Sequence, residues 1–227
     1  MRATIAFSFF FFCLVVTRTL AQEAPTVKVH LFYDCMCKYC KDFVNDQLYP
    51  TWTEIRDIMD VEMFPFGNIK YSSNGGTWEF TCQHGSDECQ CNTIHACAKD
   101  YFKDITLEMD FVNCLLGSNY PPNAGPTCAA QVGVDWNPLE QCVCSEEGAN
   151  LLYNLALQQQ LLDPELYFVP WIIIDGVFNL DQNEECKQDL KRVVCQKYNG
   201  TPPSACDEYP SETDDPVVEG TTSLYEM

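Results

Sequence analysis

The sequence predicts an α/β fold in which a strand, a helix and a second strand open the domain, a mainly helical insertion follows, and a proline-led strand with a closing helix ends it. Three observations predict this. "TVKVHLFYD" alternates Val27, Val29, Leu31 and Tyr33 against polar neighbours, as a half-buried strand does. "CMCKYC", residues 35–40, sets three cysteines where that alternation gives way to helical spacing. "YFVPWIIIDG" puts Pro170 directly ahead of the apolar, isoleucine-rich run from Trp171 to Ile174.

Both ends of the chain are set apart from this domain. Arg2, an apolar run from Ala3 to Val16 and a small-residue exit at Ala21 describe a secretory signal peptide over residues 1–21. The run falls short of the roughly 18–20 residues that span a bilayer. No later stretch is longer, so a soluble product of the secretory pathway is expected. Residues 22–206 form the expected domain, and residues 207–227 are acidic, aperiodic and expected to be disordered. The first 21 residues hold two of the thirteen Lys+Arg and none of the 33 Asp+Glu, leaving eleven against 33 and a net charge of −22. Nucleic acid is thereby excluded as a natural partner, because phosphate binding needs clustered positive charge. Of fifteen cysteines, Cys13 lies in the signal. The other fourteen read first as a disulfide framework, since the export route oxidises thiols, and their even number permits complete pairing. Asn199-Gly200-Thr201 is a glycosylation sequon that suits the same route.

Taken in order, the first strand stops at Asp34. From Cys40 onward Phe43, Val44 and Leu48 share one side of a helix. Trp52, Ile55, Ile58 and Met59 continue the period beyond Pro50, which is expected to kink or divide it. "DVEMFPFGN" reads as the second strand, ending in a turn. "NIKYSSNGGTW" reads as a loop, and a second cysteine cluster, "CQHGSDECQCNTIHAC", fills residues 82–97. Ile105, Met109, Val112 and Leu116 then share a helical face, as do Leu151 or Leu152, Leu155 and Leu162. "GSNYPPNAGPTC" between them is rich in turn formers and reads as a loop. The insertion therefore covers approximately residues 67–165, with Cys114, Cys128, Cys142 and Cys144 placed for disulfides between helices. Asp175-Gly176 signals a hairpin with Val177 to Leu180 as its return strand. From Asn183 onward Cys186, Leu190, Val193 and Val194 give a closing helix that ends near Asn199-Gly200.

Strand, CxxC at a helix start, helix, strand, insertion, proline, hairpin and final helix is the order of a thioredoxin-like fold interrupted by an insertion. Cys37 and Cys40 form the CxxC. A cysteine in the first turn of a helix faces unsatisfied N–H groups and the positive end of the helix dipole, which favour thiolate over thiol. Lys38 is expected to add a positive charge nearby. Cys40, one turn further in, is expected to be more buried and placed to attack a mixed disulfide on Cys37. At about pH 5 an unperturbed thiol of pKa ~8.5 is ionised in only roughly one molecule in several thousand. Lowering that pKa to about 5 multiplies the thiolate more than about a thousandfold, while nucleophilicity falls by roughly 30- to 60-fold. Reduction in acid therefore requires a depressed Cys37 pKa. In thioredoxin-like folds a cis-proline before a strand faces the CxxC and its neighbouring backbone pairs with extended substrate; by that resemblance Pro170 and Val169 are candidate substrate-binding residues.

The second cluster offers Cys82, His84, Cys89, Cys91, His95 and Cys97, a set that could hold zinc or form disulfides. As a string it fits CQHGxxECxxNxxxxC through Cys82, Gln83, His84, Gly85, Glu88, Cys89, Asn92 and Cys97. On that motif, with "LFYDCMCKYCKDF", "PTWTEI", "PFGN", "YFVPWIIIDG" and "VVCQKYNGTPPSAC", the chain resembles the gamma-interferon-inducible lysosomal thiol reductase family over about residues 28–206. The resemblance implies an enzyme that reduces disulfides of unfolded proteins at acidic pH in the endosomal or lysosomal lumen. It implies Cys37 as nucleophile, Cys40 as resolving thiol, an external small-thiol reductant, and no metal or organic cofactor. For the signature cluster, structural disulfides that hold the insertion near the active site are favoured over a direct part in catalysis. The sequence departs from the family pattern at Cys35 and Cys91. Cys35 either pairs elsewhere, or competes with Cys40 for the mixed disulfide. Other readings of the same scaffold are a disulfide oxidase or isomerase, and a secreted binding protein. The intact CxxC argues against the last.

Overall fold

The computed structural model describes residues 24–209, so the signal peptide and all but the first three residues of the acidic tail lie outside the described residues. Three strands form the central sheet: β1 (Val27–Phe32), β2 (Met59–Phe64) and β5 (Trp171–Ile174), in the order β2-β1-β5. β1 runs parallel to β2, with Val29 opposite Val61, and antiparallel to β5, with Leu31 opposite Ile172. The middle strand is thereby paired on both edges, which satisfies its backbone polar groups.

Between β1 and β2 the chain is helical. α1 (Lys38–Phe43) passes through one π-helical turn, Val44–Leu48, into α2 (Tyr49–Ile55). The break falls just before Pro50, where the missing N–H and the ring disfavour an unbroken α-helix, so the expected division is found there. Where a loop was expected, "KYSSNGGTWEFT" folds as a hairpin of β3 (Lys70–Asn74) and β4 (Thr77–Thr81). Gly75 and Gly76 both take positive φ, 63° and 97°, as a tight two-residue turn demands.

The insertion continues with α3 (Ser86–Phe102), which carries most of the second cysteine cluster, and α4 (Ile105–Gly117). The turn-rich stretch read as a loop instead holds a 3-10 turn at Pro121–Asn123 and α5 (Gly125–Gln131), with α6 (Trp136–Val143) and α7 (Glu146–Gln159) beyond. Pro126 at the start of α5 explains the misreading, because proline is compatible with a helix's first turn. After β5, Asp175 and Gly176 turn the chain as expected, but Val177 makes only one bridge, to Ile174, and no return strand forms. Asn179 caps a helix immediately, its side chain accepting from Gln182 N at 2.8 Å, and α8 (Leu180–Lys197) begins at the last residue assigned to that strand.

Both faces of the sheet are covered. Val29, Leu31, Ile172 and Ile174 pack with Phe43, Leu48, Leu115 and Val194 from the helices on one side. Phe32, Phe64, Trp171 and Ile173 pack with Phe66, Leu152 and Ala156 on the other. Sheet residues of both parities are therefore buried.

Five disulfides bind this frame: Cys35–Cys91, Cys82–Cys89, Cys97–Cys142, Cys114–Cys128 and Cys195–Cys206. Complete pairing of the remaining cysteines is not observed, because Cys144 and Cys186 are free as well as Cys37 and Cys40. Cys35 does pair elsewhere, and its partner is the other unexpected cysteine, Cys91.

A buried polar chain joins the end of β1 to α3 and α4. The Tyr33 hydroxyl bonds His95 Nδ1, and His95 Nε2 donates to Glu108 Oε1 at 3.0 Å. Lys99 lies 3.8 Å from Glu108 and 3.5 Å from Glu62. Burial, only partly opposed by Glu108, holds the His95 pKa below 6.5.

Two predictions follow from this framework. The Cys97–Cys142 link closes a 45-residue separation, for which loop entropy gives about 4 kcal/mol. Replacing both cysteines with alanine is expected to lower unfolding free energy by roughly 2–4 kcal/mol in urea titrations. For His95 the unfolded ring takes up its proton at a higher pH than the folded ring. Its contribution is therefore present above about pH 6.5 and lost as pH falls. The stability advantage of the native chain over His95→Gln should shrink by up to about 1.4 kcal/mol per pH unit on acidification below that point; a constant difference would contradict the assignment.

Candidate functional site

The junction of β1 and α1 places the CxxC. Cys37 sits at the helix cap with non-helical ψ of 119°, and its N–H donates to the Asp34 carbonyl at 3.1 Å. Its Sγ accepts from Cys40 N at 3.4 Å, one of the donors that a helix start leaves without an intrahelical partner. Cys37 keeps 8% of its surface exposed and Cys40 keeps 0%, the expected order of access.

The two sulfurs differ in proton affinity. Hydrogen bonding from the Cys40 thiol is the largest influence lowering the Cys37 pKa. Burial opposes it, the backbone of Cys40 and Tyr39 adds to it, and the charge of Asp34 works against it. Cys40 is raised well above an ordinary thiol, first by burial and then by its bond to Cys37 and the charge there. Lys38 does not act as expected. Its ammonium pairs with Asp42 Oδ2 at 2.5 Å along the solvent side of α1, and the nearby donors from Cys40 and Tyr39 supply what was assigned to it.

Pro170 meets this pair from across the site. Val169-Pro170 is cis, and the Cys37 thiol points to the Val169 carbonyl at 3.9 Å, long even for sulfur. Gly67 fits between the two loops. A Cβ on it would lie 2.6 Å from Asp34 Oδ2 and 2.6 Å from Val169 Cγ1, so "PFGN" needs glycine here for close packing.

Asp34 is a site member that the sequence reading passed over, although it stands just past the end of β1 and directly before the cysteines. Its carboxylate is fully buried and accepts from Gly67 N at 3.1 Å, Asn68 N at 2.8 Å and Asn92 Nδ2 at 3.1 Å. Burial first, and Glu88 second, push its pKa up to about 6 against the pull of those donors. Asn92 also accepts from Cys35 N at 2.8 Å, so one amide holds both residues before the CxxC.

The signature cluster thus has a structural role around the site. Asn92 binds Asp34; Gln83 Oε1 accepts from Asn68 Nδ2 at 3.2 Å; Glu88 accepts from His84 N at 3.0 Å and contacts His84 Nδ1 at 2.6 Å. The sulfurs of Cys82, Cys89, Cys91 and Cys97 are all committed to disulfides. Among the described residues no group of three or more His, Cys, Asp or Glu is arranged to hold a metal ion. Asn199 is exposed, just after α8.

Comparison with known proteins agrees with this layout. The family model described as gamma interferon inducible lysosomal thiol reductase matches residues 28–132. The gamma-interferon-inducible lysosomal thiol reductase of Carassius auratus is 32% identical over 196 residues, covering 86% of this chain and 77% of that protein. GILT-like protein 1 of Drosophila melanogaster is 30% identical over 212 residues, with 87% and 84% covered. Among solved structures, reduced DsbA from Mycobacterium tuberculosis matches with a TM-score of 0.50 at 15% identity, covering 75% of this chain and 86% of that one, a likeness of fold. With its thioredoxin-like fold, its CxxC at a helix cap and relatives matched along most of their length, the chain belongs to the gamma-interferon-inducible lysosomal thiol reductase family and is a disulfide-reducing thiol oxidoreductase.

Proposed function

We propose that this enzyme reduces disulfide bonds of unfolded proteins in an acidic endosomal or lysosomal lumen, with Cys37 as attacking thiolate and Cys40 as resolving thiol. The observation that carries the reading is the asymmetry of the pair: the accessible sulfur is the one whose pKa is lowered, and the buried sulfur is the one held as thiol. The Cys37 thiolate attacks one sulfur of the substrate disulfide. The substrate S–S bond breaks, a Cys37–substrate disulfide forms, and the departing thiolate takes up a proton. Forming that mixed disulfide removes the charge on Cys37, which is one cause of the high Cys40 pKa. Cys40 then gives up its proton more readily and attacks Cys37. The second substrate thiolate leaves and is protonated, and the enzyme is left with a Cys37–Cys40 disulfide. Two equivalents of an external small thiol then supply two electrons and two protons, returning the pair to the dithiol and leaving as a small-molecule disulfide.

Val169 and Pro170 are assigned to substrate binding. The Val169 carbonyl beside Cys37 offers an acceptor to the backbone of an extended segment, and Tyr39, 70% exposed next to the nucleophile, offers an apolar face. No bound metal or organic group takes part in this scheme. Residues 1–21 act in it as the export signal, residues 22–206 as the reductase domain, residues 207–227 as an unstructured tail, and exposed Asn199 as a glycan acceptor. Among the described residues no helix is long and apolar enough to cross a membrane, which fits a lumenal enzyme.

Reduction of insulin disulfides at about pH 5 and about pH 7, with a small thiol as reductant, tests the assignment. Cys37→Ser should lose turnover at both pH values. Cys40→Ser should accumulate a mixed disulfide visible on non-reducing gels and in intact mass. Turnover left unchanged by either substitution would overturn it.

A further inference from the structure

Asp34 is the one buried carboxylate that touches the CxxC through its own backbone. Its carbonyl accepts from Cys37 N, and its backbone also hydrogen-bonds the Cys40 sulfur. Its carboxylate is enclosed by three neutral donors, Gly67 N, Asn68 N and Asn92 Nδ2, from the loop after β2 and from α3. The titratable groups facing it are Tyr33 just after β1, Cys37 at the cap of α1, Cys40 within α1, and Glu88 from α3, itself bonded to His84. Glu88 therefore opposes its charge, its own charge in turn opposes ionisation of Cys37, and neutral donors alone support it.

We propose that Asp34 sets the pH dependence of Cys37: while ionised it holds that sulfur towards the thiol, and when it takes up a proton the opposition ends, so that acidification offsets part of its own cost in thiolate. This rests on the reading of Cys37 as the nucleophile and adds the residue that tunes it. The sign is fixed by charge. Both groups are negative when ionised, each raises the other's proton affinity, and they titrate as a coupled pair. Asp34 takes up its proton at about pH 6. At about pH 5 it is ionised in only roughly one molecule in ten, too few for it to be the base that deprotonates a cysteine there. Its effect is electrostatic, and the donors from Gly67, Asn68 and Asn92 keep the carboxyl in place in either protonation state.

The test reads Cys37 directly, by the rate of alkylation with iodoacetamide across about pH 4–9, with the modified residue identified by peptide mass. The reduced native protein should give a profile broader than a single titration. Asp34→Asn should give a single titration with its midpoint lower by on the order of one pH unit: a thiolate-to-thiol ratio about tenfold above the native one at pH values where Asp34 is ionised, converging with it as Asp34 takes up its proton below about pH 6. Asp34→Glu, which restores an ionisable group, should broaden the profile again. A purely structural role would not produce that pattern, and superimposable native and Asp34→Asn profiles would overturn the proposal. Should Asp34→Asn fail to fold, carboxyl 13C titration of Asp34 in the native protein decides. Reciprocity requires a lower midpoint once Cys37 and Cys40 are oxidised, and equal midpoints in the two redox states refute the coupling. Alkylation needs no turnover, so absent insulin reduction would count against the reductase reading and flat alkylation behaviour against the tuning by Asp34.

Discussion

The chemistry depends on how the end of β1 is held as it passes into α1. Between Phe32 and Lys38 the chain has neither sheet nor helix to fix it, yet it must deliver Cys37 to a helix cap with its sulfur on Cys40 N. Three anchors do this. The Cys37 N–H bond to the Asp34 carbonyl closes the turn. Asn92 holds Cys35 N and the Asp34 carboxylate, and Cys91 is covalently joined to Cys35. Gly67 and Asn68 bring the loop after β2 onto the same carboxylate, which also places the Val169-Pro170 loop at Gly67's other side. Removing any one anchor leaves a buried donor or acceptor unmatched, at about 1–3 kcal/mol.

Burying ionisable groups here has opposite consequences in acid. Asp34 has a folded pKa of about 6 against an unfolded value of 3.8. Its stability contribution is fully present below the unfolded value and is lost as pH rises through about 6, a cost on the order of 3 kcal/mol at neutral pH. His95 works the other way, because burial keeps it neutral and acid favours the unfolded ring. Glu108 adds to that loss. Burial raises its pKa, but the bond to His95 and the charges of His95 and Lys99 outweigh this and leave it below 4.5, so its contribution vanishes as pH falls through that lowered value. The active-site acid thus gains where the polar chain behind it loses, and the disulfides, which do not titrate, carry stability across the range.

The three strands of the central sheet, the dividing helix at Pro50 and the helical nature of the insertion were legible because each rests on a local rule: alternation or a β-branched apolar run, a missing N–H, or apolar residues at helical spacing. α3 was not, although it is among the longest helices, because its buried face is polar as well as apolar. Glu88, Asn92 and His95 are all buried, so no hydrophobic period marks it. The return strand after Asp175-Gly176 was misread for a different reason. The turn was right, but Asn179 offered a helix cap sooner than a second strand could pair. In the site, Cys37 and Cys40 were legible from their spacing at a helix start, and Pro170 through the resemblance to thioredoxin-like folds. Asp34 was not, because an aspartate ending a strand ordinarily meets solvent, and only the tertiary placement of Gly67, Asn68 and Asn92 encloses it.

α3 also explains the spacing of two signature residues, Glu88 and Asn92, which share a stripe with His95 and Lys99. Glu88, Asn92, His95 and Lys99 recur at intervals of four, three and four, which places them along one helical stripe. Each meets a different part of the β1–β2 edge: Glu88 influences Asp34, Asn92 bonds Asp34 and Cys35, His95 bonds Tyr33, and Lys99 reaches Glu62. Cys91 stands beside that stripe, and its partner Cys35 stands beside Asp34 in the same loop. Cys35 and Cys91, unexpected singly, therefore make one feature, a covalent bond laid over a place already fixed by the Asn92 amide. Across a 56-residue separation such a link contributes about 4 kcal/mol of loop entropy. Because it joins the loop to α3 and leaves Cys37 and Cys40 as thiols, it strengthens the support of the reactive pair without consuming either sulfur.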